Sequence, residues 1–186
     1  MKRLFVAINL SDEIKNTLVE KQEELKLNFD TDPVKWVSKK NLHVTLSFLG
    51  SLKENKIDLI TEKLKEIKIK PFTVDFFDLK YIPNRREAKL IWVEGKSDEL
   101  NNLQERVEEK LSNLEEINYT PEEREFIPHI TLGRMKSFQF KKIPLEEVPL
   151  LEDEFVDLSA QVQSIELMES KLKKGGAEYT IIKSFK

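Results

Sequence analysis

The chain has no cysteine, so disulfides, a thiol nucleophile and a thiolate metal site are all excluded. No apolar stretch approaches the roughly 18 residues that a membrane helix needs. Nothing resembles a linker or a low-complexity tail, and glycine is sparse, with five in 186 residues. No single charge sign dominates either. The net charge of −3 speaks against a protein that coats nucleic acid by charge alone, although a local basic groove stays open. Charged residues make up 35% and hydrophobic ones 39%, which fits a solvated, salt-bridged surface around a modest core. The length suits one domain, or two small lobes sharing a core. At the N-terminus, Met1-Lys2-Arg3 precedes an apolar run from Leu4 to Leu10, a faint likeness to a secretion signal. Ser11-Asp12-Glu13 stands where small residues should form a cleavage site. The expectation is a soluble cytoplasmic protein.

Histidine is also scarce, with two in the chain, and both open the same phrase. One is His43-Val44-Thr45-Leu46; the other is His129-Ile130-Thr131-Leu132, 86 residues on. At the same offset Ser11-Asp12-Glu13-Ile14 falls on Ser97-Asp98-Glu99-Leu100, and Leu4 falls on Leu90. Two βα units with similar caps explain part of this. A duplicated unit explains all of it, with no gap between first strand and histidine, and predicts halves packed about a pseudo-twofold axis.

Hydrophobic patterning predicts strands at 2–9, 42–49, 72–81, 88–94 and 129–134. Residues 155–169 and 177–185 read as a long closing hairpin around Gly175-Gly176. Ser11 caps a helix to about Asn28, Ser97 caps another to about Leu114, and a third spans 54–68. Pro121 and Pro128 bracket a loop with room for a helical turn, and 136–153 stays undecided.

On a strand, residues two apart share a face, so His43 and Thr45 point one way. Val44, Leu46 and Phe48 then point the other way, into apolar packing. His129 and Thr131 repeat the arrangement. Two imidazoles facing one cleft suit a phosphodiester: one takes the proton of an attacking water, and the other protonates the leaving oxygen. Threonine hydroxyls can donate to the non-bridging oxygens. The plain alternative is a pair of satisfied, half-buried histidines on a β-rich core. Neither histidine has an acidic neighbour in its phrase, and no His-Glu-x-x-His motif or cysteine cluster is present, so no metal and no cofactor are expected.

At these residues the chain resembles the 2H phosphoesterase superfamily, and within it the RNA 2′,3′-cyclic phosphodiesterases, also called 2′-5′ RNA ligases. The likeness runs from Arg3-Leu4-Phe5-Val6-Ala7-Ile8 through Asn41-Leu42-His43 to Gly50. It continues through Phe126-Ile127-Pro128-His129 to Arg134, then to Leu167-Met168-Glu169-Ser170 and Tyr179. It implies one domain over 1–186, an α+β bilobal duplicated fold with two antiparallel sheets flanked by helices around a central cleft. It also implies metal-free opening of a terminal 2′,3′-cyclic phosphate on RNA to a 2′-phosphate. His43 would donate the proton to the leaving 3′-oxygen and His129 would activate water, with Thr45, Thr131 and Arg134 binding substrate. Strict alternation sets Arg134 on the face opposite His129, so it reaches the cleft only through a bulge near Gly133 or a strand end. Arg85 and Arg86 stand on a turn and could follow an RNA backbone. Phe5, Trp36 and Trp92 are either core or stacking platforms. The expected partners are RNA 3′ ends bearing the cyclic phosphate, tRNA fragments among them, with no membrane and a monomeric state. A small cyclic nucleotide as substrate and a non-catalytic RNA-end binder are the competing functions, and 2′-5′ joining would be the same chemistry with a ribose 5′-hydroxyl in place of water.

Overall fold

In the computed structural model, which describes residues 1–151, 155–174 and 176–186, the apolar run at the N-terminus becomes the strand β1 (Lys2–Asn9). Ser11 caps α1 (Asp12–Leu27) by accepting the Ile14 N–H, and Asp12 and Glu13 sit where the helix dipole favours negative charge. The short β2 (Val34–Trp36), β3 (His43–Leu52) and α2 (Ile57–Lys65) follow. Next come β4 (Phe72–Ile82), β5 (Leu90–Lys96) and α3 (Asp98–Ser112), where Ser97 accepts the Leu100 N–H. The chain ends with β6 (His129–Met135), α4 (Ser137–Phe140), β7 (Phe155–Val162), β8 (Ile165–Lys173) and β9 (Gly176–Phe185).

The described strands pair antiparallel in the order β7-β4-β5-β6-β3-β1-β8-β9, with β2 on β6. Two four-stranded halves, β3-β1-β8-β9 and β7-β4-β5-β6, meet at one bridging pair, Val44 with Ile130. The two antiparallel sheets expected from the sequence are thus joined edge to edge. The helices cover one face, where Leu18, Leu25, Leu64, Leu103 and Leu111 are buried in one cluster with Leu4, Val6, Ile8, Val44, Leu46, Ile91 and Ile130. The other face carries a separate small cluster of Phe5, Ala7 and Met168, with Tyr179 packed against it. β1 and β8 are therefore apolar on both sides of their centres, and the second side is the one that bears the histidines.

The ladders correct the repeat. Ile8 pairs with Val44 and Ala7 with Thr45, while Val93 pairs with Ile130 and Trp92 with Thr131. The first strands thus correspond at a spacing of 85, not 86, and one extra residue lies between β5 and its helix cap. Side-chain clasps nonetheless cross between halves in matched positions. Gln22 of α1 donates to the carbonyls of Val37 (2.9 Å) and Leu132 on β6 (2.8 Å). Its repeat mate, Glu108 of α3, accepts from the Tyr119 hydroxyl (3.0 Å), which accepts from Ser47 on β3 (2.7 Å). Each long helix holds the histidine strand of the other half.

Other differences are local. The segment read as one strand over 155–169 breaks at Gln163-Ser164, sending β7 to β4 and β8 to β1, at opposite ends of the sheet. Helix 54–68 begins as a 3-10 turn (Glu54–Lys56) and ends at Lys65. The helical turn sits at Glu115–Ile117, before Pro121 rather than between the two prolines. Of the Gly175-Gly176 hairpin tip, Gly175 lies outside the described residues, as do 152 and 153 of the undecided stretch.

Candidate active site

The bridge between Val44 and Ile130 places the two histidine phrases side by side in opposite directions. Continuing that register by one residue sets His43 level with Thr131, and Thr45 level with His129. Val44 and Ile130 point into the helix-covered core, so all four polar side chains lie on the opposite, half-buried face. Backbone carbonyls fix both rings. His43 Nδ1 donates to the Asn41 carbonyl at 2.6 Å, and His129 Nδ1 donates to the Ile127 carbonyl at 2.7 Å. A carbonyl can only accept, so each Nδ1 carries hydrogen and each Nε2 is the atom left for proton transfer. His43 Nε2 lies 2.9 Å from Thr45 Oγ1.

A bulge then redirects the rest of each strand. On β6, Trp92 faces Thr131 and Ile91 faces Gly133, which leaves Leu132 as the extra residue. Its carbonyl, out of the β5 ladder, accepts from Val37 N at 2.8 Å and from Gln22. Alternation restarts one residue later, so Arg134 returns to the histidine face, where it is exposed. Of the two routes the sequence left open, a bulge or a strand end, the bulge is the one that turns Arg134 to the histidine face, and its positive charge acts on His43. On β3 the matching bulge leaves Leu46 extra, since Ala7 faces Thr45 and Val6 faces Ser47. Phe48, the repeat mate of Arg134, is therefore on the histidine face and 63% exposed. The expectation that Phe48 packs inward with Val44 and Leu46 is corrected for that reason.

The two half-sites share a skeleton and differ in surroundings. His43 lies among rings, with Phe5 at 5.2 Å and Tyr179 edge-on at 5.2 Å. His129 instead lies over Trp92, with ring centroids 4.1 Å apart. Burial pushes His43 down to about 4 against its hydrogen bond to Asn41, and charge on His129, Lys15 and Arg134 lowers it further. Burial also lowers His129, but its own backbone hydrogen bond, Glu94 and Glu122 pull it back up. Glu94 faces His129 directly across the β5–β6 ladder and is itself held by Lys80 at 2.9 Å. One imidazole thus sits toward cations and the other toward carboxylates. Among the described residues, no group of three or more His, Asp or Glu side chains could hold a metal ion, and no helix is long and apolar enough to cross a membrane.

The remaining sequence candidates are distributed differently. Arg85 is tied to the Val148 carbonyl through Nε (3.0 Å) and a second guanidinium nitrogen, so its charge anchors the loop, while Arg86 is exposed. Phe5 is buried, and Trp36 carries Lys26 over its ring. Glu94 and Lys15 have no motif to mark them. Lys15 is buried on α1, bonded to Asn9 Oδ1 at 2.6 Å, and Asn9 pairs with His43.

The fold and the paired His-x-Thr strands define a two-histidine, two-lobed architecture, and comparison with known proteins gives it a family. A sequence profile of the family LigT like Phosphoesterase matches twice, over residues 8–93 and again over 91–179, one match per repeat. An RNA 2′,3′-cyclic phosphodiesterase of Methanocaldococcus jannaschii is 33% identical over 98% of this chain and 99% of its own length. One from Thermotoga maritima is 32% identical over 97% of this chain and 92% of its own. A crystal structure of a Thermus thermophilus protein superposes with a TM-score of 0.83 at 27% identity, covering 98% of this chain and 96% of that one. E. coli LigT complexed with 3′-AMP has the same fold, with a TM-score of 0.77 at 24% identity, over 99% of this chain and 97% of that one. The chain belongs to the LigT-like phosphoesterase family.

Proposed function

We propose that the chain is an RNA 2′,3′-cyclic phosphodiesterase, a metal-independent hydrolase that opens a terminal cyclic phosphate to a 2′-phosphate. The observation that carries this reading is the meeting of two His-x-Thr pairs on one face at the Val44–Ile130 bridge. A water oxygen attacks phosphorus while His129 Nε2 takes its proton. The bond from phosphorus to the 3′-oxygen breaks, and His43 Nε2 supplies a proton to that oxygen. Arg134 and the hydroxyls of Thr45 and Thr131 neutralise charge that builds on the non-bridging oxygens. A ribose 5′-hydroxyl in place of water would run the same chemistry as 2′-5′ joining. One chain carries both half-sites, so the proposed working unit is the monomer, acting on RNA 3′ ends that include tRNA fragments, in the cytoplasm.

The test is hydrolysis of a short RNA ending in a 2′,3′-cyclic phosphate, in excess EDTA. Wild type should turn over to a 2′-phosphate product, and His43→Ala and His129→Ala should each lose about 100-fold or more. RNA that is bound but left intact would replace this reading with an end-binding protein. Turnover confined to small cyclic nucleotides would move the activity to that substrate.

A further inference from the structure

Lys35 of β2 and Arg134 of β6 stand directly opposite each other in their ladder. Their neighbours Val34 and Met135 are buried in the helix-covered core, so both cations lie on the histidine face, where both are exposed. Like charges set directly opposite on antiparallel strands repel. Among the described residues, neither side chain has a hydrogen-bond or ion-pair partner. The lysines around them do. Lys136 meets Asp32 at 2.6 Å, Lys39 meets Asp12 at 3.5 Å, and Lys40 and Lys173 share Glu178. The fold thus neutralises the cations surrounding this pair and leaves the pair itself unmatched. An anion arriving from solution relieves the repulsion.

The pair also lies on one side of the site. Thr131 pairs with Trp92 and Arg134 with Leu90, two residues apart on β5, so Arg134 follows Thr131 on the histidine face by about 7 Å. Thr131 is level with His43, and Arg134 lies beyond that level, on the side away from His129. The Lys35 ammonium reaches from β2 toward β9, since a Cβ on Gly176 would lie 3.2 Å from its Nζ. From Gly176 β9 runs on to Tyr179, whose ring meets that of His43 edge-on. Both cations therefore flank the His43 end of the cleft.

The chemistry supplies the anion. In the proposed reaction His43 protonates the 3′-oxygen, so the ribose lies on the His43 side of phosphorus. The RNA chain leads away from that ribose through its 5′-oxygen. A cyclic phosphate diester carries one negative charge, which one cation matches. The second cation is matched by the next phosphodiester of the chain, which a cyclic mononucleotide lacks. Resting on the phosphodiesterase reading, we infer that Lys35 binds the internucleotide phosphate immediately 5′ of the terminal nucleotide, while Arg134 serves the cyclic phosphate. A charge-assisted contact at that place makes the preferred substrate an RNA end rather than a free cyclic nucleotide.

The test uses three substrates that end in the same nucleoside 2′,3′-cyclic phosphate: the mononucleotide, a dinucleotide, and that dinucleotide with an uncharged methylphosphonate between its nucleosides. Wild type should show a KM about tenfold lower for the charged dinucleotide than for the other two. In Lys35→Gln the ratio should fall to about one, and Lys35→Arg should restore it. On the charged dinucleotide, Lys35→Gln should also reduce the slope of log KM against log salt by about 0.7. Because the substitution removes a like-charge opposition on the surface, its thermal melt should be no lower than that of wild type. A Lys35→Gln enzyme that keeps the wild-type ratio, or a wild type that treats the three substrates alike, overturns the subsite alone. A folded wild type that hydrolyses none of the three overturns the phosphodiesterase reading and the subsite together.

Discussion

Val44 and Ile130 occupy the same place in the two repeats, 86 residues apart, and they pair with each other. An antiparallel pair between equivalent residues is self-complementary, as at the interface of a symmetric dimer. The pseudo-twofold axis therefore passes between them. Each neighbouring histidine is brought to the threonine of the other repeat, so neither half can build the cleft without its mate.

The crossed clasps keep the halves in register. Gln22 is 3% exposed and its amide satisfies the carbonyl of the bulged Leu132. Gln22→Ala should lower stability by about 1–3 kcal/mol by leaving buried groups unpaired. It should also reduce kcat/KM, because the bulge that aims Arg134 loosens. Urea unfolding and steady-state kinetics check both. Full activity in a destabilised Gln22→Ala would show that the clasp holds the fold without shaping the site.

Gly133 forms the other half of that bulge. A Cβ there would lie 2.5 Å from Val34 Cγ1 on β2, so the Val34 side chain must turn or β2 must shift to admit it. Gly133→Ala should cost about 1–3 kcal/mol by overpacking and weaken phosphate binding through displaced Arg134. A melting temperature equal to wild type would contradict this packing.

The chain's two histidines give two titrating imidazoles in an NMR experiment. Burial lowers both, and His43 should titrate at about 4 in the free protein. Carboxylates beside His129 should leave it with the higher affinity for a proton. The active state holds one proton between the two rings, so kcat/KM should be bell-shaped, with its maximum shifted below the ordinary imidazole value of about 6.5. A rate that climbs steadily to about pH 9 would contradict a paired-imidazole site.

The same burial links folding to pH. Between the unfolded value of about 6.5 and the folded value of about 4, unfolded His43 binds a proton that the folded form excludes. The contribution is therefore fully present above about pH 6.5 and is lost as pH falls toward 4. His43→Ala should remove about 2–3 kcal/mol of that acid sensitivity. Denaturant midpoints of both proteins at neutral and acid pH measure the difference.

Much of this site was legible before the fold. The phrases at His43 and His129 named the polar face, and Ser11 and Ser97 marked both long helices, because caps and alternation are local properties. Strict alternation admits Arg134 to the cleft only through a bulge or a strand end, and it sets Phe48 on the face opposite the one it occupies. Bulges depend on which residues the partner strand offers, and a periodic reading of one strand cannot contain that. The extra residue between β5 and its helix cap is hidden for a similar reason: Leu4 and Leu90 align in sequence, but the ladders pair them with different neighbours. Glu94 and Lys15 act on the histidines across strands and from a helix, where no sequence spacing announces them.

Which imidazole supplies the proton is best measured with a substrate whose 3′-oxygen is replaced by sulfur. A thiolate leaves without needing a proton, so loss of the acid no longer matters, while loss of the base still does. Both histidine-to-alanine variants should be at least about 100-fold slow on the oxygen substrate. On the sulfur substrate His43→Ala should return to near the wild-type rate, and His129→Ala should stay slow. Rescue of His129→Ala instead would reverse the two roles, and rescue of neither would contradict acid–base catalysis by this pair.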